Sequence, residues 1–426
     1  MRSGETVHQM TNNINIRYGD RTITAEFPPG CRVKVVGRRP SEDPNESAIL
    51  ARAIAEPLGA PPLGDFLKGA CSPLVVVNDG TRSTPTGRIM TELMPVLSQG
   101  PAWKVIVATG LHRAPSEPEM RHIFGDSMAL VRDRVLIHNG NDDSSLTTVG
   151  SINGAVKVNR AVTEADRLVL INSVEPHFFA GFTGGRKSVL PGLAGHESIE
   201  RSHAGAVTLA AAPLRVAGNP VREFIHKHTA FLDPARVWSI QVVLDREDRI
   251  ASAYAGDLDK TFESACAAAR KYYAVRLQRH YDLILSVVHP PLDINLYQAF
   301  KGWELSQIGV RDGGALIFTA PCSEGVGSSF YQKLCEMFPN ESEWPGLEKR
   351  PYTMGLHKFV RTARAKARYR LMAVTGMPTA EVARYGFEAF SSLDDAIRTA
   401  VSHVGADADV LVVEDAAVTT LTYDDK

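Results

Sequence analysis

The stretch LVVVNDGTR, residues 74–82, decides the fold class of this chain. Its first half is a short β-branched run of the kind that forms a strand buried on both faces, and its second half is a polar turn. Similar apolar runs recur, separated by segments with helical patterns, at 104–108 (KVIVA), 133–138 (DRVLIH) and 167–173 (RLVLINS). This alternation predicts α/β layers built on a parallel-type sheet.

A second α/β domain is predicted after a basic, polar hinge at 276–280. New strand-like runs begin there, at 282–288, 315–320 and 409–415, with a helical, basic stretch at 356–371. Two domains are also expected from a length of 426 residues. We therefore predict a first domain over 1–275, which opens with a hairpin at 13–27. A second domain covers 281–400, and a C-terminal segment, 401–426, packs back on the first domain.

Composition excludes several classes of protein. The chain is 44% hydrophobic and 22% charged with a formal net charge of −1, which gives no electrostatic reason to bind nucleic acid or an anionic membrane. The polar N-terminus, residues 1–13, lacks the apolar core of a signal peptide. The five cysteines are far apart and form no C-x-x-C pair, which argues against a disulfide framework. We expect a cytoplasmic protein that acts on a small molecule, with no nucleic-acid or membrane partner.

Polar side chains with chemical potential follow three of the predicted strands. Asp79 and Arg82 follow the first run, His112 follows the second, and His177 follows the fourth. Each has an ordinary alternative, because Asp79 can cap a helix, Arg82 can be solvated and a lone histidine can be structural. Since the carboxyl ends of parallel strands meet at one edge of a sheet, the three junctions together predict a shared pocket.

The segment EPHFFAGFTGGRKSVLPGLAGHESIERSH, residues 175–203, combines two histidines and a lysine with glycines and phenylalanines. Part of it, GFTGGRKS, is similar to a phosphate-binding loop, but Arg186 stands where glycine must precede Lys187. What remains is a glycine-rich loop whose backbone N–H groups can approach an anion, and a lysine that can act as an amine nucleophile or be simply solvated. His203 alone does not hold a metal well; a metal here needs ligands from a cofactor or from distant loops.

In the second predicted domain, Gln298 and Lys301 are three residues apart and share one helix face. They form either an exposed polar face or, with Arg82, one half of a carboxylate clamp across a domain cleft.

Taken together, these motifs resemble the lactate racemase family, the nickel-pincer-dependent racemases and epimerases of 2-hydroxy acids. The matching segments are NDGTRSTPT (78–86), TGLHR (109–113), EPHFFAGFTGGRKSVLPGLAG (175–195), His203 and YQAFKG (297–302). The resemblance implies two α/β domains with the active site in the interdomain cleft.

The resemblance also implies a cofactor, pyridinium-3-thioamide-5-thiocarboxylic acid mononucleotide, which is the nickel-pincer nucleotide. Lys187 would carry it through a thioamide link, with Asp79, Gly184 and Gly185 around it. His203 would be the nickel ligand supplied by the protein. Proteins of cofactor biosynthesis would be partners of the chain.

The same resemblance implies the roles of the remaining polar groups. His112 and His177 would be the two acid–base residues, one for each enantiomer. The substrate carboxylate would be bound by four residues: Arg82, Lys301, Gln298 and Tyr297.

The resulting hypothesis is a racemase or epimerase of a small 2-hydroxy acid, such as lactate or malate, that works by hydride transfer. Two alternatives stay open, a non-catalytic binding protein for the hydroxy acid or the pincer nucleotide, and a phosphate-loop transferase. The sequence does not identify the hydroxy acid, and Arg113, Arg186 and His289 are candidates to bind a second carboxylate.

Overall fold

The computed structural model describes residues 12–100, 102–151 and 154–423. Most of the polar N-terminus, on which the expected lack of an export signal depends, therefore lies outside the described residues. Within them, no helix has both the length and the apolar character needed to cross a membrane.

The strands of the described chain are, in order, β1 (Asn13–Tyr18), β2 (Arg21–Glu26), β3 (Arg32–Val36), β4 (Pro73–Asn78), β5 (Lys104–Ala108), β6 (Val135–Ile137), β7 (Leu146–Gly150), β8 (Val156–Asn159), β9 (Arg167–Ser173), β10 (Pro176–His177), β11 (Gly181–Phe182), β12 (Val237–Leu244), β13 (Ile250–Gly256), β14 (Ala274–Arg276), β15 (Tyr281–Val287), β16 (Val310–Ala320), β17 (Arg370–Thr375), β18 (Glu388–Phe390), β19 (Asp409–Val413) and β20 (Thr420–Thr422).

The α-helices are α1 (Glu46–Ala55), α2 (Leu63–Leu67), α3 (Thr86–Leu97), α4 (Glu117–Phe124), α5 (Met128–Val131), α6 (Arg160–Glu164), α7 (His196–His203), α8 (Pro220–His228), α9 (Leu258–Tyr273), α10 (Leu296–Ser306), α11 (Ser329–Met337), α12 (Leu356–Lys366), α13 (Thr379–Ala383) and α14 (Leu393–Val404).

One compact unit, residues 39–272, is built on a six-stranded sheet in the order β13-β12-β9-β4-β5-β6. Its neighbouring strands are parallel except for β12 and β13. From β4 the chain continues to β5 on one side, whereas β9 pairs with the other side of β4. Ligands of open α/β sheets bind beyond the carboxyl ends of the strands where the strand order reverses in this way. The polar loops after β4 and β9 lie at that position.

The second unit consists of the residues up to 38 and those from 273 onward. Its main sheet has six strands, all parallel, in the order β18-β17-β16-β15-β19-β3, and the strand order reverses between β15 and β19. The predicted N-terminal hairpin is present as antiparallel β1 and β2. The two α/β units with parallel sheets confirm the predicted fold class.

Buried aliphatic side chains hold each sheet to its helices. In the first unit, Val75 and Val77 of β4 pack in one cluster with Ile89 and Leu93 of α3. In the second unit, Leu283 of β15 packs with the face of α14. Burying a side chain of this kind contributes about 1.5–3 kcal/mol, so the cores fix the strand ends from which the polar loops project.

The structure differs from the predicted domain limits at both ends of the chain. Residues 12–38 belong with the second unit, because β3 pairs with β19 and places Arg32 opposite Asp409. The segment from 401 onward belongs to the second unit as far as the structure describes it, and β19 lies inside the second sheet, between β15 and β3. The helix predicted over 356–371 ends at Lys366, and β17 begins at Arg370 because pairing with β16 overrides local helix propensity.

Candidate active site

His112 and Asp79 form a hydrogen-bonded pair at the carboxyl ends of β5 and β4. The imidazole Nδ1 lies 2.7 Å from Asp79 Oδ2, and the hydroxyl of Thr81 donates to Asp79 Oδ1 at 2.7 Å. Because a carboxylate accepts, Nδ1 of His112 carries the hydrogen, and the lone pair of the neutral ring is on Nε2. Asp79 therefore prepares Nε2 of His112 to act as a base.

The carboxyl of Asp79 stays ionised although it is buried. Burial raises the pKa of Asp79, but the charge and hydrogen bond of His112, the Thr81 hydroxyl and the charge of Arg82 outweigh it. The net result is a pKa below the ordinary aspartate value. A charged carboxylate here stabilises the imidazolium that forms when His112 takes up a proton.

Arg82 is held by a residue that the sequence did not single out for a role. Its Nη1 donates to Glu175 Oε1 at 3.0 Å, and Glu175 is buried directly after β9. The pair joins the loops after β4 and β9 at the point where the strand order reverses. A guanidinium fixed in this way is pre-organised for a carboxylate, at the cost of part of its charge. In the sequence, Glu175 could have been noticed from its position just after a predicted strand, beside Pro176.

The ring of Phe179 lies between three of the predicted site residues. The ring centroid of His177 is 4.5 Å away, the centroid of His203 is 5.0 Å away, and Nζ of Lys187 lies 5.8 Å from the Phe179 centroid. The sequence separates these residues by as many as 26 positions, yet one aromatic ring gathers them. Phe179 itself is buried, so the three polar groups have an apolar wall in common.

The neutral rings of His177 and His112 carry their hydrogens on different nitrogens. It ends β10, which pairs with β11, and its Nδ1 accepts the backbone N–H of Ala180 at 3.3 Å. The hydrogen of the neutral ring is therefore on Nε2, which is a donor. His112 thus presents a proton acceptor and His177 a hydrogen-bond donor.

His203, at the end of α7, has the ring orientation of a metal ligand. Its Nδ1 donates a hydrogen bond to the backbone oxygen of Ile199 at 2.8 Å, so the lone pair of the neutral ring is on Nε2. The hydrogen bond at Nδ1 also fixes the orientation of the ring, as is usual for histidines that bind a metal. In the part of the chain that the structure describes, no group of three or more His, Cys, Asp or Glu side chains is arranged to hold a metal ion. One oriented imidazole fits a metal whose other ligands come from a cofactor.

The Gly184–Gly185 pair is required by packing. Both residues have positive φ angles, and a Cβ on Gly184 would lie 2.7 Å from Gln241 Oε1, whereas one on Gly185 would lie 2.8 Å from the ring of Phe262. The N–H of Gly185 donates to Gln241 Oε1 at 3.1 Å. That N–H is therefore used inside the protein rather than offered to an anion. In the sequence, Gln241 could have been noticed as the one amide side chain within the apolar run of β12.

Lys187 lies in a short 3-10 turn, Gly185–Ser188, and the next α-helix, α7, begins only at His196. A phosphate-binding loop instead leads directly into a long helix. The half-buried Lys187 is fixed near Phe179 by this turn. The local fold thus departs from that of a phosphate-loop transferase.

The predicted substrate residues of the second unit lie in the first turns of α10. The side chain of Asn295 caps this helix by accepting the N–H of Gln298 at 3.0 Å. Lys301 Nζ donates to Gln298 Oε1 at 2.7 Å, so the two side chains do share a face. Burial raises the pKa of Tyr297 to about 12, which keeps this phenol neutral.

Two of the candidates for a second carboxylate already bind carboxylates of their own unit. Arg113 donates two hydrogen bonds to Glu119, and Arg186 donates two to Asp259. The third, His289, has both carboxylates (Asp415 and Glu414) and guanidinium groups (Arg17 and Arg38) near it. The ion pairs of Arg113 and Arg186 argue against these two as the site of a second substrate carboxylate, and His289 stays a candidate.

Comparison with known proteins matches both halves of the chain to one family. The model of the lactate racemase N-terminal domain matches residues 18–212, and that of the lactate racemase C-terminal domain matches residues 280–420. The chain is 28% identical over 420 residues to a lactate racemase of Lactiplantibacillus plantarum, covering 94% of this chain and 98% of the relative. It is also 28% identical over 332 residues to a lactate racemase of Thermoanaerobacterium thermosaccharolyticum, covering 75% of this chain and 77% of the relative.

Solved structures agree with these matches. The lactate racemase apoprotein from Thermoanaerobacterium thermosaccharolyticum superposes with a TM-score of 0.85 at 25% identity, covering 96% of this chain and 100% of that one. A Thermotoga maritima protein shares the fold, with a TM-score of 0.72 at 18% identity over 90% of this chain and 100% of that one. The predicted resemblance is confirmed, and the chain belongs to the lactate racemase family.

Proposed function

We propose that this chain is a racemase or epimerase that interconverts the C2 stereoisomers of a small 2-hydroxy acid, with lactate as the first candidate. The observation that carries the proposal is the gathering of His177, Lys187 and His203 around the ring of Phe179. Family membership supports the same conclusion, because the curated relatives are lactate racemases.

The proposed cofactor is a nickel-pincer nucleotide. Lys187 would carry it covalently, and Nε2 of His203 would coordinate the metal, with the ring held through Nδ1. When bound, such a group would supply a reversible acceptor for the C2 hydride. The site fits this cofactor because His203 is oriented through Nδ1 and the half-buried Lys187 contacts the same ring of Phe179.

The protein's part is to move the hydroxyl proton. In one direction, Nε2 of His112 takes the proton from the substrate hydroxyl, and the charged Asp79 stabilises the imidazolium. The hydroxyl oxygen becomes a carbonyl as the acid turns into a planar 2-keto acid. When the other enantiomer forms, Nε2 of a protonated His177 would give that oxygen its proton, so one proton is taken up by His112 and one is released by His177. Arg82, already oriented by Glu175, would bind the carboxylate, so that only the acyl part reorients. The resemblance to the family proposes Lys301, Gln298 and Tyr297 of the second unit as further residues for the substrate carboxylate.

In the reverse direction His177 has to accept the proton. Its neutral ring then needs the lone pair on Nε2, which requires the 3.3 Å hydrogen bond from Ala180 to be given up. A hydrogen bond of this kind contributes about 0.5–1.5 kcal/mol, so the exchange of roles is inexpensive.

The direct test is racemisation by the chain purified from cells that also make the pincer cofactor. Each enantiomer of lactate, and then of other 2-hydroxy acids, is incubated with the enzyme, and the products are separated by chiral chromatography. We expect one acid to reach an equal mixture from either side. A chain that carries the cofactor yet racemises none of the acids, while still binding them, would instead be a binding protein.

The cofactor assignment is tested by intact mass and nickel content. We expect the wild-type chain to carry a nucleotide-sized mass increment with nickel, and Lys187→Ala to lose the increment. Lys227→Ala, which removes an exposed lysine of α8, is the matched control and should keep it. An increment that survives in Lys187→Ala would show that the attachment lies elsewhere.

A further inference from the structure

Lys358, which no sequence motif marked, is buried against the helix that carries the predicted substrate residues. It lies on α12 and is only 1% exposed, unusually little for a lysine. Its Nζ lies 4.1 Å from the ring centroid of Tyr297 and 3.9 Å from that of Phe300, and it donates to the backbone oxygen of Tyr297 at 2.9 Å. An ammonium between two aromatic faces is stabilised by both.

Lys358 donates its hydrogen bond to the backbone oxygen of Tyr297, which is also part of the helical backbone that supports Lys301. In an α-helix the carbonyl of residue 297 also accepts the N–H of residue 301. The ammonium of Lys358 therefore shares its acceptor with the backbone of Lys301. The same helical turn carries Gln298, whose side chain accepts from Lys301 Nζ. Any shift of Lys358 moves the frame from which Lys301 extends.

Charge couples the two lysines as well. Burial lowers the pKa of Lys358 well below its ordinary value, and the neighbouring Lys301 lowers it further. Glu304 acts in the opposite direction, but Glu304 is ion-paired with Arg361, at 2.9 Å. Because like charges repel, an anion bound at Lys301 offsets the repulsion between the two lysines and favours the protonated form of Lys358.

We propose that Lys358 is a positioning residue for the substrate carboxylate, holding the first turn of α10 through its hydrogen bond to the backbone oxygen of Tyr297. This rests on the proposed function, in which Lys301 binds that carboxylate. Lys358 is covered by aromatic rings and does not touch the substrate itself. Its contribution is to carboxylate affinity and not to proton transfer at C2.

The test is Lys358→Met, since methionine keeps most of the side-chain length and packs well among aromatic rings while removing the charge and the donor. With the cofactor-loaded enzyme, we expect KM for the racemised acid to rise roughly tenfold, as for loss of a hydrogen bond to a charged group, and kcat to stay within about threefold. The inhibition constant of propionate, which has a carboxylate but no hydroxyl, should rise by the same factor.

The matched control is Thr362→Val. Thr362 lies one turn further along α12, is fully buried, and its hydroxyl has no hydrogen-bond partner among the described residues. The change should leave KM and propionate affinity as in the wild type. An unchanged KM in Lys358→Met, a loss confined to kcat, or an equal rise in Thr362→Val would overturn the proposal.

A second variant covers the case in which Lys358→Met does not fold. Phe300→Leu removes one aromatic face from the ammonium and should raise KM and the propionate constant in the same direction by a smaller factor; no rise would overturn the proposal. If the wild type racemises no acid, the proposed function fails. Propionate binding to the loaded chain, measured by calorimetry, still decides the role of Lys358: weaker binding in the variant supports it, and equal or undetectable binding in both rejects it.

Discussion

Asp79 and Asp293 occupy corresponding places in the two units, and their surroundings give them opposite acidities. Each follows a strand at the point where its sheet reverses strand order, Asp79 after β4 and Asp293 in the loop after β15. They are almost equally buried, at 7% and 5% exposed. The pKa of Asp79 lies below the ordinary value, whereas burial raises the pKa of Asp293 to about 6.

The difference lies in the partners of the two carboxyls and not in their depth. Asp79 accepts hydrogen bonds from His112 and Thr81, and Arg82 adds a nearby positive charge. Asp293 Oδ2 is buried with no hydrogen-bond partner among the described residues. Backbone N–H groups and the charge of Arg17 also act on Asp293, but burial outweighs them. A buried strand-end aspartate therefore stays ionised only when its donors and cations together outweigh the effect of burial.

Asp79→Asn should have the largest effect on activity of the substitutions at the two aspartates and their partners. The amide cannot stabilise an imidazolium at His112, so we expect kcat to fall on the order of 10²-fold with the cofactor still attached. Racemisation rates of the cofactor-loaded variant and the wild type at pH 7 provide the check, and full kcat in the variant would contradict the assigned role of Asp79.

Asp293→Asn should have a moderate effect, and on stability. A carboxyl with a folded pKa of about 6 and an unfolded pKa of about 3.9 holds its proton more tightly when folded. Its contribution to stability is therefore full below about pH 3.9 and is lost as the pH rises through 6. Asparagine stays neutral, so the variant should gain about 1–2 kcal/mol relative to the wild type between pH 4 and pH 7.

Urea unfolding of Asp293→Asn at the two pH values measures this gain. Asp407→Asn, an exposed aspartate of the same unit, is the control and should show no such change. A stability difference from the wild type that is the same at pH 4 and pH 7 would argue against a raised pKa for Asp293.

Thr81→Val should have the smallest effect, and it tests how much one hydrogen-bond donor contributes to the role of Asp79. The change removes the hydroxyl that donates to Asp79 Oδ1 at 2.7 Å and leaves the pair with His112 in place. The loss of a hydrogen bond of about 1 kcal/mol should lower kcat about fivefold. Steady-state kinetics at pH 7 are sufficient, and a loss as large as that of Asp79→Asn would mean that His112 is not the main partner.

The sequence predicts the strand-end loops because an apolar run and the polar turn after it are local features. Asp79, Arg82, His112 and His177 were singled out as candidates in this way, and the structure places each of them after a strand of the first unit or in the loop that follows it. The central place of Phe179 was not predictable, since its neighbours Lys187 and His203 come together only through the turn at Gly184–Gly185 and helix α7.

Two further features could not be predicted for related physical reasons. Lys358 belongs to a basic stretch that is typical of a solvated helix face, and only the packing of α12 against α10 buries it. The placement of β3 depends on pairing with β19, between residues as much as 377 positions apart, and no local pattern carries that information.

That pairing has a consequence for the order in which the chain folds during synthesis. β3 emerges early but must wait for β19, and at about 5–20 residues per second the delay is roughly 20–75 s. The unit formed by residues 39–272 contains all six strands of its own sheet and can close in the meantime. The sheet that supports α10 is completed last, when β19 enters between β15 and β3, so ribosome-bound chains that end before Asp409 should fold their first unit and leave the second open.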